Sequence, residues 1–242
     1  MKINFIQNLI DIIRRKKHKQ YIKLKKNNNL QIAEKLLKNI TFDIQGINNT
    51  VIIEDIKGND FNIYIRIFGD NNKIIIGKNF FLSNKLEITL GQNHRNFGKV
   101  ENCTFTIGEN TSIESLEYVT FNTDAFCNIG NNCMFAYDIV IFNTDAHPIF
   151  DMETNEIINY VDGVTIGNHC WIGRGVRILK NSTVPDDSIV GMQAVYSGNP
   201  ALKIGDNITH CAFAGNPAKL VKQNVTWDCN GNKHGYIANK HG

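Results

Sequence analysis

The chain has 242 residues, 42% of them hydrophobic and 20% charged, with a formal net charge of +3. That length and composition suit one large domain with a sizeable core, and they exclude a disordered chain or a miniprotein that needs disulfides. No apolar run approaches the ~20 residues that span a bilayer as a helix, which excludes a transmembrane enzyme of that kind.

The charge is unevenly placed. Residues 1–39 hold eleven Lys and Arg against Asp11 and Glu34, a net +9, so the remainder carries −6. Ile3, Phe5, Ile6, Leu9, Ile10, Ile12 and Ile13 recur at helical spacing ahead of the basic run Arg14–Lys19. Leu30, Ile32, Ala33, Leu36 and Leu37 repeat the helical pattern after the turn-like Asn27–Asn29. Residues 1–40 are therefore predicted as a basic amphipathic α-helical segment. It would either cap the main domain with its lysines in water, or, through residues 1–26, touch an anionic membrane surface or an acidic glycan. Nucleic acid is not the expected partner. Only Phe5 and Tyr21 interleave with the charges, and the larger, acidic part would repel phosphates.

From residue 41 onward the organising signal is a repeat of six. Ile76-Gly77 is followed by Leu82 and Ile88, Ile107-Gly108 by Ile113 and Val119, and Ile129-Gly130 by Phe135 and Ile141. The series is clearest at Ile166, Ile172, Ile178, Val184 and Val190. A period of six is neither that of an amphipathic helix nor that of a half-buried strand. It describes a short strand and a turn, three of which close one coil of a triangular prism with the aliphatic residue inside, so that residues eighteen apart stack. Asn is abundant at the turns, where it tolerates left-handed backbone angles and can bond its neighbours along a ladder. A β-sandwich with Asn/Gly turns is the competing architecture, but period-2 alternation is poor through 164–196. The expectation is an all-β parallel β-helix over 41–225, with residues 226–242 as a tail.

The register fails between Ile141 and Ile166, where Asn143-Thr144-Asp145-Ala146-His147-Pro148-Ile149-Phe150-Asp151 intervenes. The chain leaves the prism over about 142–163, and an excursion thrown from a rigid scaffold is a natural place for chemistry. His147 is the candidate for proton transfer, because an imidazole exchanges its proton near neutral pH and Pro148 stiffens the backbone that carries it. Asp145 could orient the imidazole, bind an acceptor hydroxyl or bond its own backbone. Asn143 and Tyr160, and more weakly Asp151, are candidates for acceptor binding. His169, beside a turn, reads as structural.

These residues resemble the hexapeptide-repeat acyltransferases, in particular galactoside and maltose acetyltransferases and the enzymes that O-acetylate capsule or lipopolysaccharide sugars. The resemblance lies in Thr144-Asp145-Ala146-His147-Pro148-Ile149, Val164-Thr165-Ile166-Gly167-Asn168-His169-Cys170-Trp171-Ile172-Gly173 and Ala214-Gly215-Asn216-Pro217-Ala218-Lys219, and it covers about residues 100–228. It implies a left-handed coil, a homotrimer with sites at the clefts between subunits, and acetyl-CoA as cosubstrate. His147 would be the general base and Trp171 would line the acetyl pocket. Arg174, Met192, Gln193, Ser197, Asn216 and Lys219 would meet the CoA. The segments Val190–Val195 and Ser197–Pro200 depart from the family pattern and suggest an extra piece of coil.

The chemistry accords with that assignment. A sugar hydroxyl is too weak an acid to attack a thioester unaided, so a base must take its proton as the new bond forms. A backbone N–H near Gly173 or Arg174 would steady the oxyanion. No nucleophilic Ser or Cys accompanies His147, so the expected reaction is direct transfer in a ternary complex. The acceptor would be a sugar of a bacterial surface polysaccharide or its precursor. N-acetylation of an amino sugar or drug is the alternative within the family, and a non-catalytic binding solenoid the alternative outside it. A metal-dependent hydratase on this fold would need closely spaced His ligands, which His94, His147, His169 and His210 do not provide, so no metal is expected. The cysteines have neither CxxC nor finger spacing and no secretory leader pattern opens the chain, which points to a cytoplasmic protein, with residues 1–26 available to the inner face of the membrane.

Overall fold

The computed structural model describes residues 22–24, 27–93, 98–203, 205 and 208–229. The helix expected near the start of the chain, the basic surface over residues 1–21 and His94 lie outside the described residues. Nearly every strand pairs in parallel with the one a coil away, and together they form three faces of a prism. The first face is Asn29–Ile32, Thr50–Ile53, Lys73–Ile76, Thr104–Ile107, Phe126–Ile129, Gly163–Ile166 and Thr183–Val184. The second runs through Ile56–Lys57, the starts of Phe80–Leu90 and Ser112–Thr120, then Met134–Phe135, Trp171–Ile172, Ile189–Val190 and Cys211–Ala214. The third runs through Ile22–Leu24, Ile40–Gln45, Asn62–Asp70, the ends of the two long strands, Ile139–Phe142, Arg177–Leu179 and Val195–Tyr196.

The hexad residues fill the interior. Ile76, Ile107, Ile129, Ile166 and Val184 stack on the first face, and Leu82, Ile113, Phe135, Ile172, Val190 and Phe213 on the second, all buried. Each such side chain contributes about 1.5–3 kcal/mol by leaving water. On the third face the interior column is Ile88, Tyr118, Ile141, Ile178 and Tyr196. Tyr118 takes the place expected of Val119, because a register shift between Ile113 and Ser115 moves the inward position by one residue.

Polar groups at the corners are satisfied lengthwise. Asn28, Asn49 and Asn72 form a buried ladder in which each side-chain oxygen accepts the backbone N–H of the residue one coil on, ending at Cys103. The helical pattern of Leu30–Leu37 is realised differently from expectation. Leu30 and Ile32 alternate inward on a first-face strand, and only a short 3-10 turn over Glu34–Asn39 follows. The reason is pairing: Asn29–Ile32 finds a ready template in Thr50–Ile53. Ile22–Leu24 already pairs with Phe42–Ile44, so the prism begins before residue 41. At the other end a 3-10 turn, Pro200–Lys203, stands where a first-face strand would be, which is the departure seen at Ser197–Pro200. Lys219–Gln223 then doubles back antiparallel on Cys211–Ala214.

Candidate active site

The excursion leaves the third face after Phe142 and rejoins the first at Gly163. Its start is turned sharply. The Thr144 hydroxyl donates to Asn122 Oδ1 (2.8 Å) and accepts the Ala146 N–H (3.0 Å). Ala146 has φ +63°, uncommon for a residue with a side chain, and the His147 N–H donates to the Asp145 carbonyl at 2.7 Å. This bend brings His147 to the wall of a cavity of about 350 Å³ shared with Phe121, Thr144, Pro148, Asn159 and Tyr160.

Two residues not singled out from the sequence hold the bend. The Asn159 amide donates to Asp145 Oδ2 (2.8 Å) and to the His147 carbonyl (2.9 Å), while its oxygen accepts the Ile149 N–H (2.7 Å). Lys180, from the corner of the next coil, reaches Asp145 Oδ2 at 2.9 Å and the carbonyls of Asn159 and Tyr160 at 3.0 and 3.3 Å. Burial alone would raise the Asp145 carboxyl, but the bonds from Lys180 and Asn159 and the charge of Lys180 outweigh it and hold the group below the usual carboxylate range. Asp145 is thus a fastener of the loop.

Asn143, expected at the acceptor site, is buried inside the corner. Its amide donates to Tyr118 Oη and the Phe126 carbonyl, and its side-chain oxygen has no partner among the described residues. The first residue after a prism strand continues the inward alternation, which is why it cannot face an acceptor. Asp151 accepts the N–H groups of Glu153 and Thr154 and so caps a turn. Tyr160, another acceptor candidate, is exposed and lines the His147 cavity.

Trp171 lies elsewhere, as the first residue of the short second-face strand Trp171–Ile172, pointing outward and 38% exposed. It borders a separate cleft of about 980 Å³, which shares no lining residue with the His147 cavity. The chain after the last strand returns along this face. Trp227 stacks on His169 with centroids 4.4 Å apart and planes within 10°, donates its indole N–H to the His169 carbonyl at 2.8 Å, and stands 6.2 Å from Trp171. His169 has φ +51° at its corner and pairs with Asp187 at 2.9 Å, in keeping with a structural role.

Of the residues expected along CoA, Arg174, Met192, Gln193 and Asn216 belong to one column of turns between the second and third faces. The Gln193 N–H donates to the Arg174 carbonyl (2.8 Å) and the Val195 N–H to that of Gly215 (3.0 Å). Close stacking requires glycine there: a Cβ on Gly173 would press on the backbone nitrogen of Met192. Lys219 opens the doubled-back strand just beyond Asn216. Ser197 is apart from them, at the corner after the third face. Of the two N–H groups expected to steady an oxyanion, that of Gly173 is spent on the Val190 carbonyl at 2.8 Å. Among the described residues no three His, Cys, Asp or Glu side chains converge in a metal-holding arrangement.

No family model matches the chain. The polysialic acid O-acetyltransferase of Neisseria meningitidis is 34% identical to it over 197 residues, 76% of this chain and 87% of that one. Among solved structures, the polySia-specific acetyltransferase NeuO superimposes with a TM-score of 0.57 at 26% identity, covering 79% of this chain and 89% of its own. The polysialic acid O-acetyltransferase OatWY superimposes with a TM-score of 0.50 at 27% identity, covering 84% and 88%. A left-handed β-helix of stacked hexads, a His-bearing excursion and this extent of likeness make the chain an acyltransferase of the hexapeptide-repeat acetyltransferase family, in the branch that includes the polysialic acid O-acetyltransferases.

Proposed function

We propose that the protein transfers acetyl from acetyl-CoA to a hydroxyl of a sugar in a bacterial surface polysaccharide or its precursor, with an acidic glycan of the polysialic acid kind as the first acceptor to test. The likeness to polysialic acid O-acetyltransferases over most of both chains carries this reading. His147 takes the proton of the acceptor hydroxyl as its oxygen adds to the thioester carbonyl. The Arg174 N–H meets the oxyanion, and collapse expels the CoA thiolate, which recovers the proton from the imidazolium. The protein forms no covalent bond to the acetyl group. A positioned base contributes about 10²–10⁴-fold and one oxyanion donor roughly 3 kcal/mol.

The separation of His147 and Trp171 onto different faces supports a site shared between subunits of a homotrimer, the loop of one chain closing over the Trp171 face of the next. The basic residues 1–39 then serve to draw a polyanionic acceptor, or the membrane that carries its precursor, toward a prism that is itself acidic. The test is thiol release from acetyl-CoA against a panel of acidic and neutral bacterial glycans, with H147A as control. A fall of about 10²–10⁴-fold in kcat with acetyl-CoA binding retained supports the reading, and full turnover by H147A overturns it. Deleting residues 1–39 should raise the KM for an acidic glycan and flatten its salt dependence, and leave a neutral acceptor unaffected.

A further inference from the structure

The geometry points to Trp227 as a specificity-determining residue: with Trp171 it forms a subsite for one pyranose ring of the acceptor. This rests on the functional reading above, together with the place in the acetyl pocket that the family resemblance implies for Trp171. The chain has two tryptophans, and both border the same cleft of about 980 Å³, near the upper end of the range for small-molecule sites. Trp227 is held there by more than chance contact. The Val225 N–H donates to the His210 carbonyl (3.1 Å), the Trp227 indole N–H donates to the His169 carbonyl (2.8 Å), and one ring face is stacked on the His169 imidazole.

The two indoles converge without touching face to face, at 6.2 Å and 43°. Trp171 remains 38% exposed beside its neighbour, so an open apolar surface is left between them. Met134 and Ile189 border the same space, while Asn110 and Asn132 bring amide groups to it. Aromatic walls with nearby amides suit a sugar ring, whose C–H faces pack on indole and whose hydroxyls need donors and acceptors.

Position along the coil decides between the two substrates. Trp171 stands between the turn of His169 on one side and that of Gly173 and Arg174 on the other. The column proposed for CoA follows the second turn, and Trp227 occupies the first. In direct transfer the two substrates approach the acetyl group from different sides, so the Trp227 side is left to the acceptor.

The experiment compares the full-length wild type with W227A and W227F, using acetyl-CoA and a short oligosaccharide of sialic acid. W227A is expected to raise the KM for the oligosaccharide about ten-fold while the KM for acetyl-CoA stays within about two-fold, and W227F to recover most of the loss. In W171F, Trp227 is the sole tryptophan, and its emission should shift on titration with the same oligosaccharide. A W227A enzyme with wild-type KM for the oligosaccharide, or one that loses acetyl-CoA affinity instead, overturns the inference and leaves the functional reading standing. If W227A misfolds, W227F and the emission titration decide, and an unmoved Trp227 emission overturns the inference. A wild type that acetylates no glycan overturns the functional reading and this inference with it.

Discussion

Replacing Lys180 with Met tests whether the held loop, as distinct from the prism, sets the rate. The ammonium makes three contacts within 3.3 Å, to Asp145 Oδ2 and the carbonyls of Asn159 and Tyr160, and so ties the next coil to the Asp145–His147 bend. Hydrogen bonds to a charged group are worth about 1.5–3 kcal/mol when buried, but the Asp145 side chain is 35% exposed, so screening reduces the loss to roughly 1–2 kcal/mol. That is a factor of about 5–30 in the population of the held loop, and kcat should fall by that factor. The parallel ladders are untouched, so the thermal midpoint should move by less than about 4 °C. The Asp145 pKa is depressed in the folded protein, so its contribution is complete above about pH 3.9, the unfolded value, and is lost as pH falls through the lower folded value. The ratio of wild-type to K180M rates should therefore be flat from about pH 5 to 8. The assay is acetyl transfer across that range beside a thermal melt. A K180M enzyme within two-fold of wild type would refute the idea that this contact holds the catalytic bend.

Three further outcomes follow from the scaffold. Replacing Asn49 with Ala removes the acceptor of the buried Asn72 N–H and the donor to the buried Gly69 carbonyl, while the Asn28 oxygen keeps the backbone N–H of residue 49; at about 1–3 kcal/mol for each of the two groups left unpaired, the melting midpoint should fall by roughly 4–24 °C. Gly69→Ala drives a Cβ into the Val100 carbonyl oxygen, backbone against backbone, and should cost upward of about 3 kcal/mol, read as lost soluble yield or a lowered denaturant midpoint. Of the six thiols only Cys229 is exposed, and burial pushes Cys103 up to about 11 and Cys127 further, so one thiol per folded chain should react with an aromatic disulfide reagent and none in C229S.

The fold was most legible where the chain is most regular. Between Ile166 and Val190 each hexad is one strand and one turn, so spacing alone names the stacked residues. Upstream, the strands Phe80–Leu90 and Ser112–Thr120 run through a corner without a break, and the bulge that this requires shifts Tyr118 into the place of Val119. Leu30–Leu37 was ambiguous because the same apolar positions satisfy a helix and an inward-alternating strand; the partner Thr50–Ile53, distant in sequence, settles it. His147 and Trp171 could be read because loop and motif are local. Lys180, Asn159 and Trp227 could not, since their work is done on residues 10 to 58 positions away and leaves no periodic trace.

The most direct test of a shared acetyl-transfer site is complementation between H147A and W171A subunits, each inactive alone, after dissociation and joint reassembly. If the imidazole of one chain serves the indole of the next, one interface in four of a random mixture joins an intact His147 to an intact Trp171, and roughly a quarter of wild-type activity returns. Mixed assemblies that form and stay inactive would mean that both residues must come from one chain, and would contradict the account.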